Sequence, residues 1–334
     1  MHITPKLLME SARKAADDMV MRNEDIVCIY LTGSLLEDQP LIGGTTDIDL
    51  VCVHDFKPPL AREIKSLTDE FHLDIAHYPQ SRFGQARDLR QDAWLGSYLV
   101  YNPVLLYDSQ HWFEFTQSGV FAQFLQPSYV IQRARPFSQS AREKWQALDQ
   151  NRTPPDPLFV WEFLKSLEMA GNAIACLVGV PLTERRFMQD LPARAEALER
   201  PGLSAGLTDL ISPVEGEEID LQTGLEDWRN AILLAAEKKT CPVRLNPVRI
   251  PYYEKAILEY ADTNPAAALW ILLRTWTLAL THLPKRAPEI NPWQQFIQSI
   301  NLGKTDFPAR LQALDSYLEA VEETLEGWAA KNGV

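Results

Sequence analysis

The chain has 334 residues, room at ~150 residues per domain for about two domains and a large core. Hydrophobic residues make up 46% and charged residues 23%, near the soluble globular average, which excludes a wholly disordered, collagen-like or coiled-coil chain. The formal net charge is −13, and both the first 120 residues and the remainder are acidic. Affinity for long nucleic acids rests on clustered Lys and Arg, so no such partner is expected, whereas a small anionic ligand in a metal-assisted pocket needs no basic surface.

In chain order, residues 5–21 carry apolar positions at helical spacing and no signal-peptide core, and a cytoplasmic location is expected. Residues 26–32 and 47–54 read as buried strands, 60–70 as a helix and 71–78 as a third strand. Residues 80–96 read as polar and helical, and the apolar run from Tyr98 to Tyr107 as another strand ending at Asp108. After residue 125 the β-branched runs stop and helical periodicity takes over, which predicts domains 1–125 and 126–334. The second carries predicted helices near 129–149, 158–179, 183–199, 223–239, 252–261, 265–282, 291–300 and 307–331. Pro-rich breaks at 153–157 and 241–251 and an irregular loop at 201–221 separate them. The fold class expected is a small mixed-sheet α/β head followed by an all-helical bundle. The run from Ala266 to Leu283 is interrupted by Arg274 and several threonines, so it reads as a buried bundle helix and no membrane span is expected. The four cysteines Cys28, Cys52, Cys176 and Cys241 show no CxxC or Cys/His spacing and read as free thiols in a reducing compartment.

The segment that carries chemistry is Gly33-Ser34 after the first strand, then Asp47-Ile48-Asp49 on the second, with Asp74 on the third. Strand side chains alternate, so Asp47 and Asp49 share one face. Two like charges so close are costly unless a proton or a divalent cation sits between them, and Mg2+ prefers such hard oxygen ligands beside water and phosphate. Gly33 lets backbone approach a ligand, and Ser34 with exposed amides can grip a phosphate. Asp74 lies in an apolar strand context. It completes a triad if its strand pairs beside the second, where it could hold a metal or take a proton from an attacking hydroxyl.

These residues resemble the motif of the nucleotidyltransferase superfamily that includes DNA polymerase beta, and the head-plus-helices layout is nearest its kanamycin and streptomycin nucleotidyltransferase branch. The likeness covers residues 26–78, with Thr46 standing where a Ser or Thr often precedes the first Asp. It implies that residues 1–125 are the Mg-nucleotide-binding domain and that 126–334 form the acceptor side of a cleft. Asp47, Asp49 and Asp74 would be catalytic and metal-binding, Gly33, Ser34 and Thr46 would hold the nucleoside triphosphate, and Arg274 would reach its phosphates. Arg274 is equally readable as a structural ion pair. One departure is Leu35-Leu36-Glu37-Asp38, where many relatives place an arginine and a glycine.

The activity implied is Mg2+-dependent transfer of a nucleoside monophosphate from a triphosphate such as ATP to a hydroxyl of a small-molecule acceptor, releasing pyrophosphate. An aminoglycoside-like polycation suits the negative charge. The alternatives are a toxin/antitoxin-type nucleotidyltransferase acting on tRNA or protein, a non-catalytic nucleotide-binding module, and a structural scaffold. Lys165 reads as a solvated helix position, with a place facing the cleft as the alternative. Arg185 and Arg186 read as a solvated helix start capped by Thr183. His54 on the second strand and His72 and His77 on the third show no transition-metal spacing, and His72 reads as partly exposed on the face of Asp74. The tryptophans, among them Trp161, Trp270, Trp276 and Trp293, read mostly as core.

Overall fold

Three helices begin on the same local device, a polar cap followed by proline. The Thr4 hydroxyl accepts from the Leu7 amide at 3.2 Å, the Asp156 carboxylate from the Phe159 amide at 2.9 Å, and the Asn264 side chain from the Ala267 amide at 3.1 Å. In each case the next residue is a proline whose missing N–H would have gone unpaired in the first turn. The computed structural model describes residues 3–151, 155–212 and 221–334, and it divides into two units, Met1–Tyr129 and Val130–Val334. The predicted break at 153–157 falls partly, and the loop predicted at 201–221 largely, outside the described residues.

The first unit is α/β. Its elements are α1 (Pro5–Arg22), β1 (Ile26–Thr32), β2 (Thr46–His54), β3 (Arg62–Ser66), β4 (Phe71–Pro79), α2 (Ala86–Gln91), α3 (Leu95–Val100), β5 (Val104–Asp108) and α4 (Trp112–Phe124). The strands form one mixed sheet in the order β3-β4-β2-β1-β5; β2 and β4 run parallel and the other neighbours antiparallel. Strand alternation sorts the apolar side chains onto two faces. Ile29, Leu31, Ile48, Leu50 and Ile75 pack with Leu8, Ala12 and Ala16 of α1, while Tyr30, Val51 and Val53 pack with Leu95, Leu99, Val120 and Phe124. Each such buried aliphatic contributes about 1.5–3 kcal/mol, so β2 is locked in register from both sides.

Three expectations are corrected here. Residues 62–66 are a strand, not part of a helix over 60–70. The segment Arg62-Glu63-Ile64-Lys65-Ser66 is a short, charged and largely exposed edge strand, the composition that keeps an edge from pairing with other chains and that leaves no apolar run to read. The stretch 80–96 is broken into a 3-10 turn at Gln80–Phe83 and the short helix α2, and Tyr98 belongs to helix α3, so the last strand begins at Val104.

The second unit is helical: α5 (Pro127–Gln150), which begins at the end of the first unit, α6 (Pro157–Val178), α7 (Phe187–Ala197), α8 (Gly202–Asp209), α9 (Leu221–Ala236), α10 (Ile250–Thr263), α11 (Pro265–Thr281), α12 (Ile290–Ser299) and α13 (Phe307–Asn332). Helix α8 replaces part of the predicted loop. Helix α11 is the buried axis, packed against α6, α9 and α10 and enclosed from Ala267 to Leu280. Its threonines have a use: Trp228 donates its indole N–H to Thr275 at 2.7 Å and Trp293 to Thr277 at 3.0 Å, satisfying two donors that the core would otherwise strand. Among the described residues no helix is long and apolar enough to cross a membrane.

Candidate metal and nucleotide site

Register builds the site. In the β1–β2 ladder Thr32 stands opposite Asp49, and in the parallel β2–β4 ladder Asp49 stands opposite Asp74 and Asp47 opposite His72. Asp49 therefore lies between the end of β1 and the middle of β4, and one oxygen from each of Asp47, Asp49 and Asp74 falls within 4.8 Å of the others. Asp47 and Asp74 are buried and Asp49 is half-buried. At ~5 Å and an effective dielectric near 20, each like-charged pair repels by about 3–4 kcal/mol, a cost the fold has not relieved by dispersing the three side chains.

Immediately past Thr32 the chain turns at Gly33, with φ 84°. A β-carbon there would lie 2.1 Å from Asp49 Oδ2, so glycine is required both by the left-handed backbone and by the carboxylate packed onto it. Ser34 opens a one-turn 3-10 helix, Ser34–Leu36, and is half-buried beside exposed Gly33. Glu37 and Asp38 are exposed. Thr46 is buried and does not join the carboxylates: its hydroxyl donates to the Asp47 carbonyl at 3.2 Å and its amide to the Glu70 carbonyl at 3.1 Å. It fixes the start of β2. His72 is buried beside Asp47, not partly exposed.

Two further residues belong to this place. Arg62, on edge strand β3, grips Asp74 with two hydrogen bonds, Nε donating to Oδ1 at 2.5 Å and Nη2 to Oδ2 at 2.8 Å. Ile64 is the β3 residue opposite Asp74, so Arg62 reaches it along the diagonal of the ladder. One guanidinium is thus paired with one of the three carboxylates. Tyr98 is the other. Its phenol pKa is pushed up, by burial first and then by the charge of Asp49, so the hydroxyl stays protonated and available as a donor near the acids. Both lie in segments whose secondary structure sequence patterning assigns differently.

An all-oxygen donor set of three clustered carboxylates, one still half-open to solvent and packed onto the bare backbone of a glycine, fits a hard divalent cation such as Mg2+.

Arg274 lies in the second unit, in the core of α11. Its side chain is fully buried between the rings of Trp161 and Trp270, with guanidinium-to-centroid distances of 4.4 and 5.3 Å, and Nη2 pairs with Glu168 at 2.9 Å. Glu184 lies 3.7 Å from Nε. Burial alone would raise the pKa of Glu168, but the charges of Arg274 and Lys165 outweigh it and hold it at about 2. Lys165 is correspondingly a half-buried partner of Glu168 at 2.6 Å, not a solvated side chain. Arg185 and Arg186 are also buried. They sit in the turn before α7, which starts at Phe187 without a side-chain cap from Thr183, and the Arg185 guanidinium stacks 3.7 Å from the centre of the Tyr252 ring. Both arginines expected on a solvated face are buried, and Arg185 packs on an aromatic ring. Cys28, Cys52 and Cys176 are buried free thiols and Cys241 is partly exposed.

Compared with models of protein families and with curated proteins, the chain matches none.

Proposed function

We propose that the first unit is the Mg2+- and nucleotide-binding part of a nucleotidyltransferase, which moves a nucleoside monophosphate from a triphosphate onto a hydroxyl of a small-molecule acceptor. The observation that carries this reading is the convergence of Asp47, Asp49 and Asp74 within 4.8 Å beside the Gly33 turn. A protein keeps mutually repelling buried carboxylates together where a cation will join them. Asp47 and Asp49, with Asp74, would hold Mg2+, which when bound neutralises the phosphate charge that builds up in phosphoryl transfer.

The chain's own groups have separate tasks. Gly33 makes the turn on which the Asp49 carboxylate packs, and the Ser34 hydroxyl and nearby amides hold the triphosphate oxygens. Arg62 orients Asp74 through both carboxylate oxygens; each oxygen keeps a further lone pair, with which Asp74 accepts the proton of the acceptor hydroxyl. The acceptor oxygen then bonds to the α-phosphorus as the bond to the β,γ-diphosphate breaks and pyrophosphate leaves. A chain of net charge −13 favours a cationic acceptor, so an aminoglycoside-like polycation is the acceptor class this reading names.

The test incubates the full chain with each nucleoside triphosphate, Mg2+ and separate panels of polycationic hydroxyl compounds, tRNA and protein, and follows pyrophosphate. Release with the first panel, lost in Asp47→Asn and in Asp49→Asn, supports the reading. Release only with tRNA or protein moves the acceptor to a macromolecule. Triphosphate binding without release under every condition leaves a nucleotide-binding module and overturns the enzyme.

A further inference from the structure

A second cluster lies on the same two strands, on the opposite face of the sheet and nearer their other ends. Cys52 and His54 are two residues apart on β2 and share a face, and parallel pairing sets His77 of β4 opposite Cys52. The Cys52 sulfur and one nitrogen from each of His54 and His77 all fall within 4.8 Å of one another. His54 Nε2 and His77 Nδ1 are 2.9 Å apart. The two outer ring nitrogens each face a carboxylate: His54 Nδ1 is 3.3 Å from Asp25 Oδ2, and His77 Nε2 is 3.5 Å from Glu63 Oε1.

We propose that Cys52 Sγ, His54 Nε2 and His77 Nδ1 form a site for a thiophilic divalent ion, Zn2+ by preference, independent of the acidic site. The placement of the rings argues for it. The inner nitrogens face each other at 2.9 Å, while the outer nitrogen of His54 is in hydrogen-bond reach of Asp25 and that of His77 lies 3.5 Å from Glu63, the outer carboxylate support that metal-bound histidines ordinarily have. With an ion bound, each ring would offer its inner lone pair and turn its outer N–H toward a carboxylate; the proton between the inner nitrogens and that of the Cys52 thiol would leave to solvent as the metal bonds form.

The dimensions agree. Zn–N near 2.05 Å and Zn–S near 2.3 Å in a tetrahedron put the two nitrogens about 3.3 Å apart and the sulfur about 3.5 Å from each, so the rings, 2.9 Å apart, would part by a few tenths of an ångström and the sulfur, within 4.8 Å of both, would close toward them. A thiolate with two imidazoles selects Zn2+ or Co2+ over Mg2+, whose preferred all-oxygen set is on the other face. With Cys52 and His54 enclosed, the fourth ligand position falls to solvent at the rim by His77, whose side chain is 11% exposed.

The experiment strips the full chain with a chelator and titrates Co2+, reading the thiolate-to-cobalt charge-transfer band, then displaces it with Zn2+. The expected result is a band saturating at one equivalent. It is absent in Cys52→Ser, retained in Asp47→Asn, and shifted to about 10-fold or more weaker binding in Glu63→Gln. His77→Gln, at the half-buried rim, guards against a Cys52 variant that fails to fold: circular dichroism should be unchanged and the band lost. No charge-transfer band in the unmodified protein overturns the site, as does a band that survives both ligand substitutions. Cobalt bound without a thiolate band and lost in Asp47→Asn assigns the ion to the acidic cluster instead.

Discussion

The acidic cluster of the first unit and the arginine cluster of the second are both charged and both largely buried, yet they are built differently. Around Arg274 opposite charges alternate: Glu168 is paired by Arg274 and Lys165, and Glu184 lies between Arg274 and Arg244. Around Asp49 three carboxylates gather within 4.8 Å of one another, one of them gripped by Arg62. Like charges converging on one spot are the arrangement that a cation joins, whereas alternating charges hold one another. That convergence, more than burial or the mere presence of arginine, separates a ligand site from architecture.

The largest effect that would sharpen this contrast is on turnover. Asp49→Asn should lower pyrophosphate release on the order of 10^4-fold, about 5 kcal/mol of barrier, while the melting temperature in metal-free buffer holds or rises because repulsion is relieved. Arg274→Met should do the reverse, costing about 3–4 kcal/mol in urea unfolding because Glu168 is left buried without its main partner. A variant pair in which Asp49→Asn unfolds the protein and Arg274→Met is neutral would break the comparison.

Gly33→Ala should come next, at about 1–2 kcal/mol of stability from the positive φ alone, with weakened Mg2+ binding because the new methyl displaces the Asp49 carboxylate. Calorimetric titration and denaturant melts read the two separately. Arg62→Ala should have a smaller effect, since that side chain is about half exposed. It should destabilise the chain by about 1 kcal/mol in chelator, and Mg2+ should recover part of the loss by taking over the charge on Asp74.

The smallest effect is a pH dependence. The pKa of Glu168 is depressed from 4.5 to about 2, so its ionised form stabilises the fold above the unfolded value, and that contribution is lost as pH falls through the folded one. The stability difference between the wild-type chain and Glu168→Gln should therefore shrink from about pH 5 down toward pH 2. A difference constant over that range would detach Glu168 from Arg274.

What could be read in the sequence follows the same physics. Asp47 and Asp49 declare a shared face because alternation in an apolar strand is unambiguous, and the buried context of Asp74 marks it as a member if its strand pairs with β2. The Gly33 turn is visible as a break after seven apolar-strand residues. Arg62 is not visible, because an edge strand made of charges carries no hydrophobic period and resembles a polar helix. Tyr98 is hidden by the opposite fault: its run is apolar enough to pass for a strand, but it is a helix. The meeting of Cys52, His54 and His77 depends on a parallel register between strands separated by an edge hairpin, and no local spacing encodes that. Thr46 and Arg274 match a motif by position, yet Thr46 holds backbone and Arg274 holds Glu168.

The most direct measurement is electron paramagnetic resonance of Mn2+ added, with a nucleoside triphosphate, to the full chain and to its Asp47→Asn and Cys52→Ser variants. The account predicts one tightly held Mn2+ in the wild-type chain and in Cys52→Ser, and loss of that signal in Asp47→Asn. Free Mn2+ throughout, or equal binding in Asp47→Asn, would contradict it.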